Sequence, residues 1–175
     1  MRSVVLASLL VSSLAACGGG GAAKPTEPPK ATKWRDMNAD QRIAYMKEVV
    51  LPESKKIFVA FDAKKFENMD CNTCHGDGAE NGSFEMPDAK IHPLPNSEEA
   101  FMAWAQKEPE VGKWAQFMSG EVEPLMARLL DETVFDPKTK TGEFGCTACH
   151  TLVDAEGKPV PLPPKDHDHD HHDAK

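Results

Sequence analysis

The pattern of apolar and polar positions predicts helices rather than strands through the middle of the chain. Asn38-x-x-Gln41 has the form of a capping box. Ile43, Met46, Val49 and Val50 follow it at the spacing of one helical face. Pro52 lacks the N–H that would bond back to residue 48, so this helix is expected to kink or end there. Ser97 or Asn96 is placed to cap a helix through Phe101, Trp104 and Ala105. Another is expected from about Glu110 to Met118, and a further short one from Pro124 to Leu130, with proline at the tolerated first turn.

The two ends read differently. Met1-Arg2-Ser3 is followed by an apolar run from Val4 to Leu14, the pattern of a secretory signal too short for a stable membrane span. It closes on Leu14-Ala15-Ala16-Cys17, which resembles the bacterial lipobox, in which the peptide is cut before a cysteine that then carries diacylglycerol. Residues 1–16 are accordingly expected to be a lipoprotein signal peptide and Cys17 the lipidation site, anchoring the chain to a membrane. Residues 17–33 are glycine-rich and then proline-rich without large apolar side chains, and are expected to be a flexible tether. A foldable domain is expected over 34–164 and a disordered His/Asp-rich tail over 165–175.

Composition narrows the classes. The chain has 175 residues and a formal net charge of -8, which leaves room for one domain and argues against a nucleic-acid partner. Its five cysteines stand at 17, 71, 74, 146 and 149, one alone and two close pairs, which is not a disulfide framework.

Both pairs are C-x-x-C-H: Cys71-Asn72-Thr73-Cys74-His75 and Cys146-Thr147-Ala148-Cys149-His150. This is the attachment signature of c-type haem. On a helical turn, positions three apart face the same way, so two thiols meet two haem vinyl groups and the next residue reaches the iron. The predicted cofactors are two covalently bound haems, with His75 and His150 as proximal ligands. Competing uses fit less well: the 71 residues between the pairs exceed a zinc-ribbon spacing, and no βαβ context suggests a thioredoxin-like site. Structural disulfides between neighbouring pairs remain an alternative in an exported chain.

The sixth ligands are less explicit. No methionine follows His150, so the second haem would have to take a methionine from upstream. An internal repeat suggests which. A shift of 72 residues aligns Tyr45-Met46 with Phe117-Met118, Val50 with Val122, Pro52 with Pro124 and Lys56 with Arg128. Repeats are expected over about 38–95 and 96–158. Met46 and Met118 are the candidate axial ligands, with core packing as the alternative fate of such methionines. Met86 and His92 compete at the first haem, and Met126 at the second.

This arrangement resembles the cytochrome subunit of photosynthetic reaction centres. That family has a lipid-anchored N-terminal cysteine and haem segments built as a helix bearing the axial Met, a turn and a C-x-x-C-H helix. The resemblance covers roughly residues 34–153, and it stops at two haem segments where the subunit carries four. It implies an all-α fold of two helix-Met, turn, C-x-x-C-H repeats around two haems. The expected function is electron transfer with His/Met ligation, on the periplasmic side of a membrane or at the cell surface. Redox partners with basic docking patches would suit the acidic surface. The alternative is an enzyme, a dihaem peroxidase or reductase with one open haem site; no separate catalytic constellation is visible. The tail, with His167, His169, His171 and His172 among aspartates, has the composition to take divalent zinc, copper or nickel weakly. The plainer reading is a solvated acidic tail. Lys55-Lys56 and Lys64-Lys65 read as solvated faces.

Overall fold

The computed structural model describes residues 32–162, which are mostly helical. The expectations for the signal peptide, for Cys17 and for the His-rich tail fall outside the described residues.

The first helix begins as its sequence predicts. The Asn38 side chain accepts from the Gln41 N–H at 3.0 Å, and the Gln41 side chain accepts from the Asn38 N–H at 2.9 Å. This box opens α1 (Ala39–Tyr45). The helix then departs from α geometry. Met46–Val50 form a π turn, in which the Leu51 N–H bonds back five residues to the Met46 carbonyl, and α2 (Leu51–Phe61) continues beyond it. Pro52 therefore does not end the helix; the π turn stands just before it instead. In unbroken α geometry its ring would press on the carbonyl four residues back. The wider turn just before it takes up that conflict.

The same device recurs 72 residues later. The stretches α7 (Pro109–Phe117) and α8 (Glu123–Leu129) are joined by a π turn at Met118–Val122, with Pro124 just past it. The two helices expected here are thus one bulged helix. Both π turns open on the residues that the repeat aligns, Met46 and Met118.

These two bulged helices pack antiparallel. Tyr45 Oη donates to the Leu129 carbonyl at 2.8 Å, and Ser54 Oγ donates to Met126 Sδ at 3.7 Å. At the far end Phe58 meets Phe117 edge to face at 5.1 Å, and Phe61 stacks on Phe117 at 4.1 Å and meets Trp114 at 4.5 Å. Positions on one helix rise as their partners on the other fall. Ser54 and Met126 are themselves 72 residues apart, so their contact lies on the approximate two-fold axis relating the helices.

Shorter elements complete the chain: α3 (Ala63–Phe66), capped by the Asp62 side chain, then α4 (Asn72–His75), α5 (Asp77–Asn81) and α6 (Glu98–Lys107). Ser97, rather than Asn96, caps α6, accepting from the Ala100 N–H at 3.2 Å. The all-helical expectation omits a small three-stranded sheet. In it β1 (Leu94–Pro95) runs parallel to β2 (Leu152–Val153), and β2 pairs antiparallel with β3 (Pro159–Val160). Pro93 and Pro95 hold β1 extended, which excludes helix there.

The core is thin. Phe58, Phe66, Met69 and Phe117 form one cluster; Ala127, Leu130 and Phe144 form another. No side chain among the described residues is fully buried. Lys65, expected on a solvated face, lays its ammonium 4.3 Å from the centre of the Trp114 ring and covers the first cluster. No described helix is long and apolar enough to cross a membrane.

Candidate functional site

The first C-x-x-C-H segment is shaped by its neighbours. The Asp70 carboxylate accepts from the Asn72 N–H at 3.0 Å, and Thr73 Oγ1 accepts from the Asp70 N–H at 3.2 Å. These bonds start the single turn α4, and the His75 N–H closes it on the Cys71 carbonyl at 2.9 Å. The second segment is a 3-10 turn, Cys146–Ala148, rather than the expected helix. Extended Gly145 enters it and β2 begins soon after His150, which leaves room for one turn only. Even so, the His150 N–H bonds to the Cys146 carbonyl at the same 2.9 Å. Both segments thus set a histidine directly above the first cysteine of its pair.

None of the four cysteines is in a disulfide. Burial pushes the Cys74 thiol up to about 12, and the charges of Cys149 and Cys71 add to the shift. Cys74 is thereby a neighbour of the other segment's Cys149. Cys146 is the most exposed of the four. Its pKa is raised by partial burial and then by the Glu123 carboxylate, whose own pKa burial raises.

Both histidines are held toward the neutral form, as a metal-ligating imidazole requires, chiefly by burial. Their surroundings differ. His150 Nδ1 lies 2.7 Å from the His92 carbonyl. A carbonyl only accepts, so Nδ1 carries the proton and Nε2 keeps its lone pair. His75 Nδ1 is buried without a geometric hydrogen-bond partner; the ring stands edge-on to Phe84 at 5.5 Å, and the Phe84 backbone works against the effect of burial on its pKa. The chain leaves His75 through Gly76, at φ +50°, toward a loop tied down by Asp88.

The methionines fall on opposite sides. Met118 packs on the Phe58/Phe117 cluster, as does Cys74. Met46 packs on the Ala127/Leu130/Phe144 cluster, as do Ala148 and Cys149. Met126 is on that second cluster too, with its sulfur accepting from Ser54. Met86 belongs to neither cluster. His92 meets the second segment, not the first, and does so through its carbonyl; its exposed ring stacks on Trp104 at 5.2 Å.

Reasoning from sequence missed Ser54, the Tyr45 hydroxyl, the His92 carbonyl and Asp88. Each acts on a residue brought near by the fold; only the 72-residue offset of Ser54 and Met126 was there to be read. Among the described residues no group of three or more His, Cys, Asp and Glu side chains converges on a point where it would hold a metal ion alone. No protein-family profile, no curated protein and no solved structure matches this chain.

Proposed function

We propose that this chain is a one-electron carrier holding two covalently attached c-type haems, with His/Met ligation. The observation that carries the reading is the pairing of each C-x-x-C-H turn with a methionine that opens a π turn, the two methionines standing 72 residues apart. Single π turns inside α-helices are rare and gather at functional sites.

The residues suit the group. Four cysteines outside disulfides are the thioether donors, Cys71 and Cys74 for one haem, Cys146 and Cys149 for the other. His75 and His150 supply neutral imidazoles, and the His92 carbonyl fixes the tautomer of His150. Met46 and Met118 supply thioether sulfurs, which favour ferrous over ferric iron and close the sixth position to small molecules. The haems themselves contribute reversible one-electron chemistry. The protein tethers them, sets their ligands and keeps water from them with Phe58, Phe66, Phe117 and Phe144.

In this reading Cys17 is the lipid anchor of an exported bacterial lipoprotein, on the periplasmic side of a membrane or at the cell surface. The net charge of -8 steers the carrier toward partners with basic patches, so reduction by such a partner slows with added salt. The test is the protein matured with haem. Intact mass is expected to show two haems bound covalently, and the ferric spectrum the weak long-wavelength Met–iron band. That band falls by about half in Met46→Ala and likewise in Met118→Ala. Absence of covalent haem refutes the whole reading; two haems with an undiminished band in both variants refute the methionine ligation.

A further inference from the structure

We infer that the axial methionines are exchanged between the repeats: Met118 serves the haem on Cys71 and Cys74, and Met46 the haem on Cys146 and Cys149. This rests on the haem reading above and reverses the pairing that the repeat alone suggests.

The reason lies in the antiparallel packing. Met46 precedes Phe58 by 12 residues, and Met118 precedes Leu130 by 12. At 1.5 Å per residue each methionine lies about 18 Å along its own helix from the end where that helix's cluster forms. Cys74 packs on the cluster of Phe58, and Cys149 on that of Leu130. Cys74 and Cys149 are themselves neighbours, so what tells the methionines apart is the cluster each packs on, and Met46 is not on that of Cys74. The antiparallel partner corrects this. Phe117 packs on Phe58 and Phe61, bringing Met118 to the Cys74 end. Tyr45 reaches the Leu129 carbonyl, bringing Met46 to the Cys149 end.

Two other contacts agree. The second segment's His150 is oriented by His92, which belongs to the first repeat. Of the two methionines at the Cys149 cluster, Met126 has its sulfur engaged by the Ser54 hydroxyl, which leaves ligation to Met46. Each haem is then bound by both repeats, with its proximal histidine from one and its distal sulfur from the other.

The experiment uses the full-length protein with both haems. Cys71→Ala leaves the first haem one thioether and one vinyl group, and the extended conjugation moves its reduced α band to longer wavelength. Redox titration at that band follows the first haem alone. In this background Met118→Leu is expected to lower the midpoint of the marked haem and leave the other in place; Met46→Leu is expected to do the reverse. Leucine keeps the volume in each cluster, so the variants lose the sulfur without a cavity. Marking the second haem with Cys146→Ala should give the mirror result. If Met46→Leu lowers the midpoint of the first haem and Met118→Leu that of the second, the exchange is wrong and each repeat is self-contained. If neither variant moves either midpoint while intact mass shows both haems attached, neither methionine is a ligand and the exchange falls. If intact mass shows no covalent haem, the parent reading falls and the exchange with it.

Discussion

Replacing Gly76 by alanine should destabilise the protein far more than replacing Gly82, six residues on. Gly76 follows His75 directly and has φ +50° and ψ -129°, a region that only glycine enters without strain. Forcing alanine into it costs about 1–3 kcal/mol. The added methyl would also collide with Asp88, touching Oδ1 and coming within 2.7 Å of Cγ, and would lie 3.2 Å from Lys90 Cβ. Asp88 has little freedom to retreat, because Oδ1 accepts from the Lys90 N–H at 2.8 Å and Oδ2 from the Gly78 N–H at 3.2 Å. Overpacking of this kind adds about 1–3 kcal/mol. Gly76→Ala should therefore cost roughly 2–6 kcal/mol in all. Gly82 has φ +79° and ψ 7°, in the left-handed helical region, and a methyl there meets no atom within 4 Å. Gly82→Ala bears the backbone cost alone, about 1 kcal/mol. The assay is urea denaturation of both variants, matured with haem and compared at equal m-value. Equal losses, or a neutral Gly76→Ala, would show that the chain does not leave His75 by this backbone path.

Further outcomes are expected. Asn38→Ala removes the side-chain half of the capping box, the bond it accepts from the Gln41 N–H, and should cost about 1 kcal/mol in the same assay. Tyr45→Phe deletes the bond to the Leu129 carbonyl that ties the two bulged helices together; its cost should be about 0.5–1.5 kcal/mol, with folding intact. The Asp88 carboxyl is held below its ordinary pKa mainly by the Lys90 N–H and further by those of Asp77 and Gly78. Its stabilisation is thus present above the ordinary aspartate value and lost as pH falls through the depressed one. Hydrogen exchange at Gly78 and Lys90, corrected for intrinsic rates, should accelerate in that acid range, and Asp88→Asn should remove the pH dependence. The full-length Cys74→Ala/Cys149→Ala variant, prepared without haem, should be largely unfolded; native-like helicity by circular dichroism with a cooperative melt would contradict this.

What was legible in the sequence is what acts locally. The capping box at Asn38 and the cap at Ser97 need only residues three apart, and both formed as their spacing implies. The 72-residue offset likewise reappears as two bulged helices of matching design. The π turns themselves were not legible, because no residue pattern separates a five-residue hydrogen bond from a four-residue one. That omission explains an error in the first helix. One inserted residue turns everything after it by about 100°. Ile43 therefore no longer shares a face with Val50: Val50 is buried, whereas Ile43 is 36% exposed. The 3-10 form of the second segment was hidden too, since the strand that follows pairs with residues some sixty positions earlier.

The candidate site can be read from the sequence as a set of residues, whereas the partners proposed for them come from the packing. A repeat seen in sequence invites the assumption that each copy is complete, with its own methionine beside its own cysteines. Antiparallel pairing of two equivalent helices works against that assumption whenever a proposed ligand stands well before the end of its helix and its motif follows that end. The start of one helix must then lie beside the end of the other. The absence of any methionine after His150 fits this arrangement, because Met46 already stands at that end of the pair. The thin core fits it as well. Clusters of four and three buried residues hold the helix ends together, and each contains an attachment cysteine at its margin. A flat apolar group bound at each margin would bridge both helices, so that ligation and the packing of one repeat on the other become a single event.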